Sequence, residues 1–187
     1  MKQNILKTYS FAIVFVCLSC STLAGWTFET VDGGPVLQPE AELKYNLHDE
    51  LGLLSYSEIT GDLYYSNQTG QDWVTNLVDS NGDAGTWNDL AFDSQGRPHV
   101  VYSRLTQGEY QVVYGFHNDS EWILEVVQNS GECGQHVSLA LSELDEPHIV
   151  HSDTSGSQTV EYIFRSNNIW QYEVIDTMAF TPVIALS

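Results

Sequence analysis

The stretch "LAFDSQGRPHVVYS", Leu90 to Ser103, returns 49 residues later as "LALSELDEPHIVHS", Leu139 to Ser152. Each copy opens with a short apolar run, crosses a turn of Ser, Gly, Asp or Glu, and resumes with β-branched residues, the pattern of two strands joined by a tight loop. The context repeats with it. Trp26, Trp73, Trp122 and Trp170 recur at intervals of 47, 49 and 48 residues. Three positions after each Trp stand Glu29, Asn76, Glu125 and Glu173; five after come Val31, Val78, Val127 and Ile175, followed by Asp32, Asp79, Gln128 and Asp176. Leu43, Leu90 and Leu139 lie 17 residues after the first three tryptophans, and Tyr65, Tyr114 and Tyr162 lie eight before the last three. A fixed period with fixed internal marks identifies a repeat architecture.

Each unit reads as four short strands. In the best-marked unit these are Leu90 to Phe92, Pro98 to Ser103, Tyr110 to Phe116 and Trp122 to Val127, with no helical periodicity long enough to compete. Four strands in about 48 residues is the size of a β-propeller blade, and the small Ala91 and Ala140 suit the crowded innermost strand. The Trp-bearing strand is then outermost, with Trp and the residues two and four beyond it facing the neighbouring blade. The fold expected is all-β: a propeller of four-stranded antiparallel blades, with full units at about 43–79, 90–128 and 139–176. An outer strand at 26–32 and a partial inner strand at 183–187, "VIALS", flank them. Closed propellers usually hold four to eight blades. Three blades leave an open arc whose edges invite association. A truncated product, a homo-oligomer that completes the ring, and terminal strands sharing a fourth blade all fit this count.

Residues 1–24 read as an export signal: Lys2 and Lys7, an apolar run from Phe11 to Leu18, and the small-residue site Thr22-Leu23-Ala24. The run is too short to span a bilayer, so no transmembrane segment is expected. A secreted or periplasmic location follows; the alternative is a lipid anchor at Cys20, against which Cys17 stands where a lipobox wants an aliphatic residue. The 187 residues carry a formal charge of −19, and loss of the two signal-region lysines leaves 25 acids against Lys44, Arg97, Arg104 and Arg165. Nucleic-acid binding needs clustered bases and is excluded. The acidic surface also fits an adaptation to salt. Cys133 alone remains after processing, so no internal disulfide can form.

The pattern LAxDxxGxPHVxYS, followed by a Tyr strand and a Trp strand ending Val-Asp, resembles the blade repeat of secreted bacterial β-propellers grouped with sialidase-like or bacterial-neuraminidase-repeat proteins. The resemblance covers most of the chain beyond residue 24, with Gly52-Leu53 in place of Pro-His in the first unit. It implies the architecture and leaves activity open, since such propellers serve as lectins, scaffolds and glycosidases. A sialidase-like site would need an arginine cluster. Arg97 and Arg104 flank opposite ends of one expected strand, about 23 Å apart, and cannot grip one carboxylate. "SNGDAGTW", Ser80 to Trp87, departs from an Asp-box because Asp83 and Gly85 each fall one place late.

Asp79, Asn81 and Asp83 alternate as oxygen ligands do in a calcium loop, although Ca2+ takes six to eight ligands and Leu90 stands at the twelfth place instead of a bidentate Glu. A solvated Asn-Gly turn is the competing reading. For ligand binding, Trp87 is the one tryptophan outside the repeat register; its ring could stack on a sugar while Asp83 and Asn88 bind hydroxyls, or it could plug the inner strand. His99 and His148 recur at matching positions and are read as packing or hydrogen-bonding residues; the odd spacing of His148 and His151 points them to opposite faces. Glu143, Asp145 and Glu146 read as a solvated turn. Asn67-Gln68-Thr69 and Asn118-Asp119-Ser120 are sequons only in a glycosylating host. The expected function is an exported, non-enzymatic propeller module that binds carbohydrate or protein surfaces without a cofactor, calcium apart. A fragment of a glycan-active enzyme, sialidase-like or another glycosidase, is the alternative.

Overall fold

A computed structural model describes residues 13–16, 27–30, 37–69, 72–129, 132–156, 158–177 and 181–186. The described residues are all strand, turn and irregular backbone, and no helix is long and apolar enough to cross a membrane. A two-stranded antiparallel sheet pairs β1, Ile13–Val16, with β2, Thr27–Thr30. Twelve strands then form three four-stranded antiparallel sheets, each with strands in chain order. The first holds β3 (Leu37–Tyr45), β4 (Leu51–Ser57), β5 (Asp62–Thr69) and β6 (Asp72–Asp79). The second holds β7 (Asp83–Phe92), β8 (Pro98–Thr106), β9 (Glu109–His117) and β10 (Trp122–Gln128). The third holds β11 (Gln135–Leu141), β12 (Pro147–Asp153), β13 (Thr159–Ser166) and β14 (Ile169–Thr177).

The sheets stack face to face, and the period of two along each strand divides the second sheet between two cores. Val100, Tyr102 and Val113 join Leu54, Leu63, Tyr65, Ala84 and Leu90 in a core shared with the first sheet. Their neighbours Val101, Val112 and Tyr114 join Val137, Leu139, Ile149 and Ile163 in a core shared with the third. Each Val, Leu or Ile among them, fully buried, stabilises the fold by about 1.5–3 kcal/mol. The tryptophans sit on the outermost strand of each sheet, as expected, and reach back onto the preceding sheet: Trp122 and Leu124 pack on the first core and Trp170 on the second.

Two features depart from the sequence reading. The inner strands start earlier than 43, 90 and 139, because each carries an irregularity that the ladder continues across: between Leu37 and Ala41, from Ala84 to Asn88, and between Gln135 and Ser138. At the last two, Trp87 and His136 adopt matching left-handed backbones, with φ of 48° and 50°. Asp83 to Trp87 therefore lies on a strand and not in a loop. The outer strands also bulge, at Val78, Val127 and Ile175, where two residues oppose one. The bulge breaks simple alternation, so both Val78 and Asp79 turn inward and are buried.

The hairpin turn joining the first two strands of each sheet has one chemistry in three versions. Asn46 Oδ1 accepts the N–H groups of His48 and Glu50, Asp93 Oδ1 those of Gln95 and Arg97, and Ser142 Oγ those of Leu144 and Glu146. The left-handed position falls on Asp49, Gly96 and Asp145. Because Tyr45 pairs with Leu51, Phe92 with Pro98 and Leu141 with Pro147, the residues matching Pro-His in the first sheet are Leu51-Gly52, one place earlier than the strings imply. Of the expected signal peptide 1–24, all but 13–16 lies outside the described residues, as do Cys20 and residues 26, 31 and 32 of the expected outer strand 26–32. Residues 181–186, which include most of the expected inner strand 183–187, join no ladder; Pro182 has no N–H to give one, and Ile184 N–H donates to Ser138 Oγ at 3.4 Å.

Candidate ligand clefts

The two junctions between sheets use the same stations with different residues. At the junction of the second and third sheets, His99 and Phe116 are cross-strand partners and their rings stack at 5.6 Å. His99 Nδ1 lies 2.6 Å from Tyr114 Oη. Trp170 crosses from the third sheet to meet Tyr114 edge to face at 5.4 Å and 75°, and its Nε1 donates to Glu125 Oε1 at 2.8 Å. Arg165, 4.3 Å from the Trp170 ring centre, pairs with the same Glu125. The junction is closed by aromatic packing and a charged clasp.

At the junction of the first and second sheets the equivalent stations hold Gly52 for His99, Asn67 for Phe116, Asn76 for Glu125 and His117 for Arg165. Trp122 still meets Tyr65 edge to face, at 5.6 Å and 73°. The Phe92 ring takes the space over Gly52, while Asn67 in place of the Phe116 ring lines a cleft of about 350 Å3, walled by Tyr65, Asn67 and Asn76 of the first sheet and by His117 and Trp122 of the second. Glu50 and Arg97, from the two hairpin turns, and Asp119 complete its rim. Trp122 Nε1 is buried there without a hydrogen-bond acceptor, where its counterpart Trp170 has Glu125.

The rim is held in place from below. Asp93 is buried and takes the backbone N–H of Gln95 and Arg97 and the Arg97 Nε, the last at 2.7 Å. Burial alone would raise its carboxyl, but these donors outweigh burial and hold it below the ordinary range. Arg97 is thereby fixed at the cleft mouth. Glu50 accepts from Asn46 Nδ2 at 2.8 Å on the opposite side. Burial pushes the Tyr65 phenol well above its ordinary value, with Glu50 adding to it, so it enters the cleft wall as a neutral group able to donate.

The sequence-predicted ligand residues lie elsewhere and do not converge. Trp87 and Asn88 line a second cavity, of about 550 Å3, where β3, β7, β11 and residues 181–184 come together. Its wall carries Lys44 paired with Asp89 at 2.5 Å, and Asp89 in turn accepts from Ser138 Oγ and Leu139 N–H. Burial, with Asp89 next in effect, raises the Glu42 carboxyl beside them. The Trp87 ring sits 5.6 Å from that of His136, its repeat counterpart. Asp83, four residues back along the same strand, accepts from Tyr56 Oη and is absent from this cavity.

Of the three oxygen residues expected for calcium, Asp79 and Asp83 accept from protein donors. Asp79 Oδ2 accepts from Tyr102 Oη at 2.6 Å and Arg104 Nη1 at 2.9 Å, and its Oδ1 caps Asn81 N–H. Among the described residues no group of three or more His, Cys, Asp or Glu is placed to hold a metal ion. His148 repeats the His99 arrangement, with Nδ1 2.5 Å from Tyr162 Oη, while His151 is buried and bonded to Gly134 N–H and Gln128. Asp145 binds the Ser94 N–H and hydroxyl, tying two adjacent hairpin turns together. The cleft residues Asn76 and Trp122 were marked in the sequence as repeat positions and Asn67 only as part of a sequon; the signal that could have found the site was Asn67 standing 49 residues before Phe116.

No family model matches the chain, and no curated protein matches it. Among solved structures it is similar to a fucose lectin from Kordia zhangzhouensis in complex with methyl-fucoside, with a TM-score of 0.49 and 14% identity over 73% of this chain and 99% of the lectin. A likeness at that level leaves the ligand to be read from this chain's own residues.

Proposed function

We propose that the protein is an exported, non-enzymatic β-propeller module whose three sheets are blades, and that it binds carbohydrate in the cleft between the first two. One observation carries this reading: Asn67 stands, and lines a cleft, at the station that the Phe116 ring fills one sheet later. The emptied space is lined by an aromatic face and by amide, carboxylate and guanidinium groups, the mixture that a sugar's apolar ring face and hydroxyls require. Its volume of about 350 Å3 sits at the lower end of small-ligand sites, about 300–1,000 Å3, which fits one or two sugar rings and not a long chain.

A glycan array followed by calorimetric titration tests this. The wild-type chain should take up at least one mono- or disaccharide class, and Asn67→Phe, which restores the ring found at the other junction, should abolish binding while leaving the melting temperature unchanged or raised. Binding that survives Asn67→Phe removes the cleft from the account. Turnover of the bound glycan, lost in Glu50→Gln, would replace the module with a glycan-active enzyme.

A further inference from the structure

The three hairpin turns share a backbone chemistry but differ in the side chains they bring together. The second sets Asp93, Arg97 and His99 in one place; the matching positions hold Asn46, Glu50 and Gly52 in the first sheet and Ser142, Glu146 and His148 in the third. Of these three turns the second alone combines a carboxylate, a guanidinium and an imidazole. One oxygen joins them. Asp93 Oδ2 takes Arg97 Nε at 2.7 Å and lies 3.5 Å from His99 Nε2, while Oδ1 is held by two backbone N–H groups of the turn. His99 is buried, and its Nε2 has no hydrogen-bond partner among the described residues. Its Nδ1 lies 2.6 Å from Tyr114 Oη; Asp145 of the third sheet's turn adds its charge from one side, and Arg165 stands 5.7 Å from the Tyr114 ring. Arg97 keeps 30% of its side chain exposed and lines the cleft. Bonded to Asp93 through Nε, it has two terminal nitrogens left for a ligand.

We propose that His99 is a positioning residue for the cleft: when it takes a proton from solvent it claims Asp93 Oδ2, Arg97 leaves that oxygen, and the bound sugar loses a fixed cation at the cleft mouth. A neutral imidazole facing Tyr114 through Nδ1 makes no more than a long contact with Asp93. An imidazolium donates from both nitrogens, and buried beside a carboxylate it is drawn to it with little screening. Two cations then compete for one oxygen. Only Arg97 has somewhere to go, since its guanidinium reaches solvent and Asp119 and Asp145 also attract it, whereas His99 is enclosed. Asp93 remains a carboxylate throughout, because its donors hold it below the ordinary range. Burial puts the His99 transition below the ordinary histidine value, so the released state belongs to the acid side. Coupling is reciprocal: a sugar that needs Arg97 in place should lower the His99 transition further. The inference rests on the cleft reading above for its ligand, while the release of Arg97 stands on the hairpin alone.

The test follows the full 15N-labelled chain by NMR from about pH 7.5 to about pH 5, a range that spans histidine titration. The Arg97 Nε–H signal should move toward the position of a solvated arginine with the same midpoint as the His99 ring signals, and in His99→Gln it should hold still. Affinity for the mono- or disaccharide that the array selects, measured by calorimetry at both ends of the range, should drop about fivefold more in wild type than in His99→Gln, the low end of coupling between sites. His117 of the cleft wall is present in both proteins, so their difference isolates His99. An Arg97 signal that stays in place while the His99 ring titrates overturns the proposal, and that measurement needs no variant. A His99→Gln chain whose affinity follows pH as wild type does overturns it as well. Absence of sugar uptake at every pH would overturn the cleft reading instead, and the Arg97 signal would still decide the release.

Discussion

Trp170 donates its indole N–H to Glu125 across the junction of the second and third sheets, and the same carboxylate holds Arg165. Removing it leaves a guanidinium and an indole without their acceptor. Glu125 is half exposed, so solvent screens part of the loss. Glu125→Ala should destabilise the fold by about 1 kcal/mol, read from the urea midpoint at constant slope. Glu125→Gln, which keeps an acceptor oxygen, should lose less.

The Asp79 carboxylate is a different case, because its partner Arg104 is buried, at 8% exposure. Asp79→Ala strands that charge and should cost about 3–5 kcal/mol, whereas Tyr102→Phe removes one neutral donor and should cost about 1 kcal/mol. Calcium would have to displace Tyr102, Arg104 and the Asn81 N–H from Asp79. Thermal melts in excess calcium and in chelator should therefore coincide.

At Gly52 the test is steric. A Cβ there would lie 2.6 Å from Phe92 Cζ and 2.8 Å from Tyr65 Oη. Phe92 is a ring on a strand end and Tyr65 is locked under Trp122, so neither yields freely. Gly52→Ala should cost about 1–3 kcal/mol by overpacking and shift Tyr65 in the cleft wall. A melting temperature equal to wild type would show that Phe92 and Tyr65 yield more freely than these contacts imply.

The pH dependence of stability follows from three imidazoles. Burial lowers His99, His148 and His151 below the ordinary histidine value, against the opposing pull of Asp93, Glu146 and Glu161 respectively. In the window between the folded and unfolded values the unfolded chain binds more protons. Their contribution is therefore complete above about pH 6.5 and is lost as pH falls below it. The melting temperature should drop between pH 7.5 and pH 5.5, and His99→Gln should flatten that drop. A melting temperature that holds constant or rises on acidification contradicts the burial of these rings.

The repeat made the sheets legible because its marks, Trp, Tyr and the inner Leu, are the residues that must pack whatever the neighbouring sheet contains. Trp73, Trp122 and Trp170 fell on outermost strands for that reason. Bulges were not legible: Val78 and Asp79 both turn inward only because two residues oppose one, and nothing in their side chains announces it. Trp87 drew attention as a loop tryptophan, but its left-handed backbone belongs to an irregularity in β7 that His136 repeats in β11. The cleft was hidden by a single-place offset. Once Gly52, and not Leu53, is set against His99, its cross-strand partner Asn67 is seen to stand at the station of Phe116, since cross-strand partners are defined by the ladder and not by chain order.

The central claim, that the ligand lies between the first two sheets, is tested most directly by the indole N–H resonances of an 15N-labelled chain titrated with the best array sugar. Trp122 stands in the cleft wall, its buried Nε1 without an acceptor, whereas Trp87 lines the other cavity and Trp170 is bound to Glu125. The account predicts that the Trp122 indole signal shifts furthest on saturation while those of Trp87 and Trp170 stay near their free positions. A titration that moves Trp87 and leaves Trp122 unchanged would contradict it and place the ligand among the inner strands.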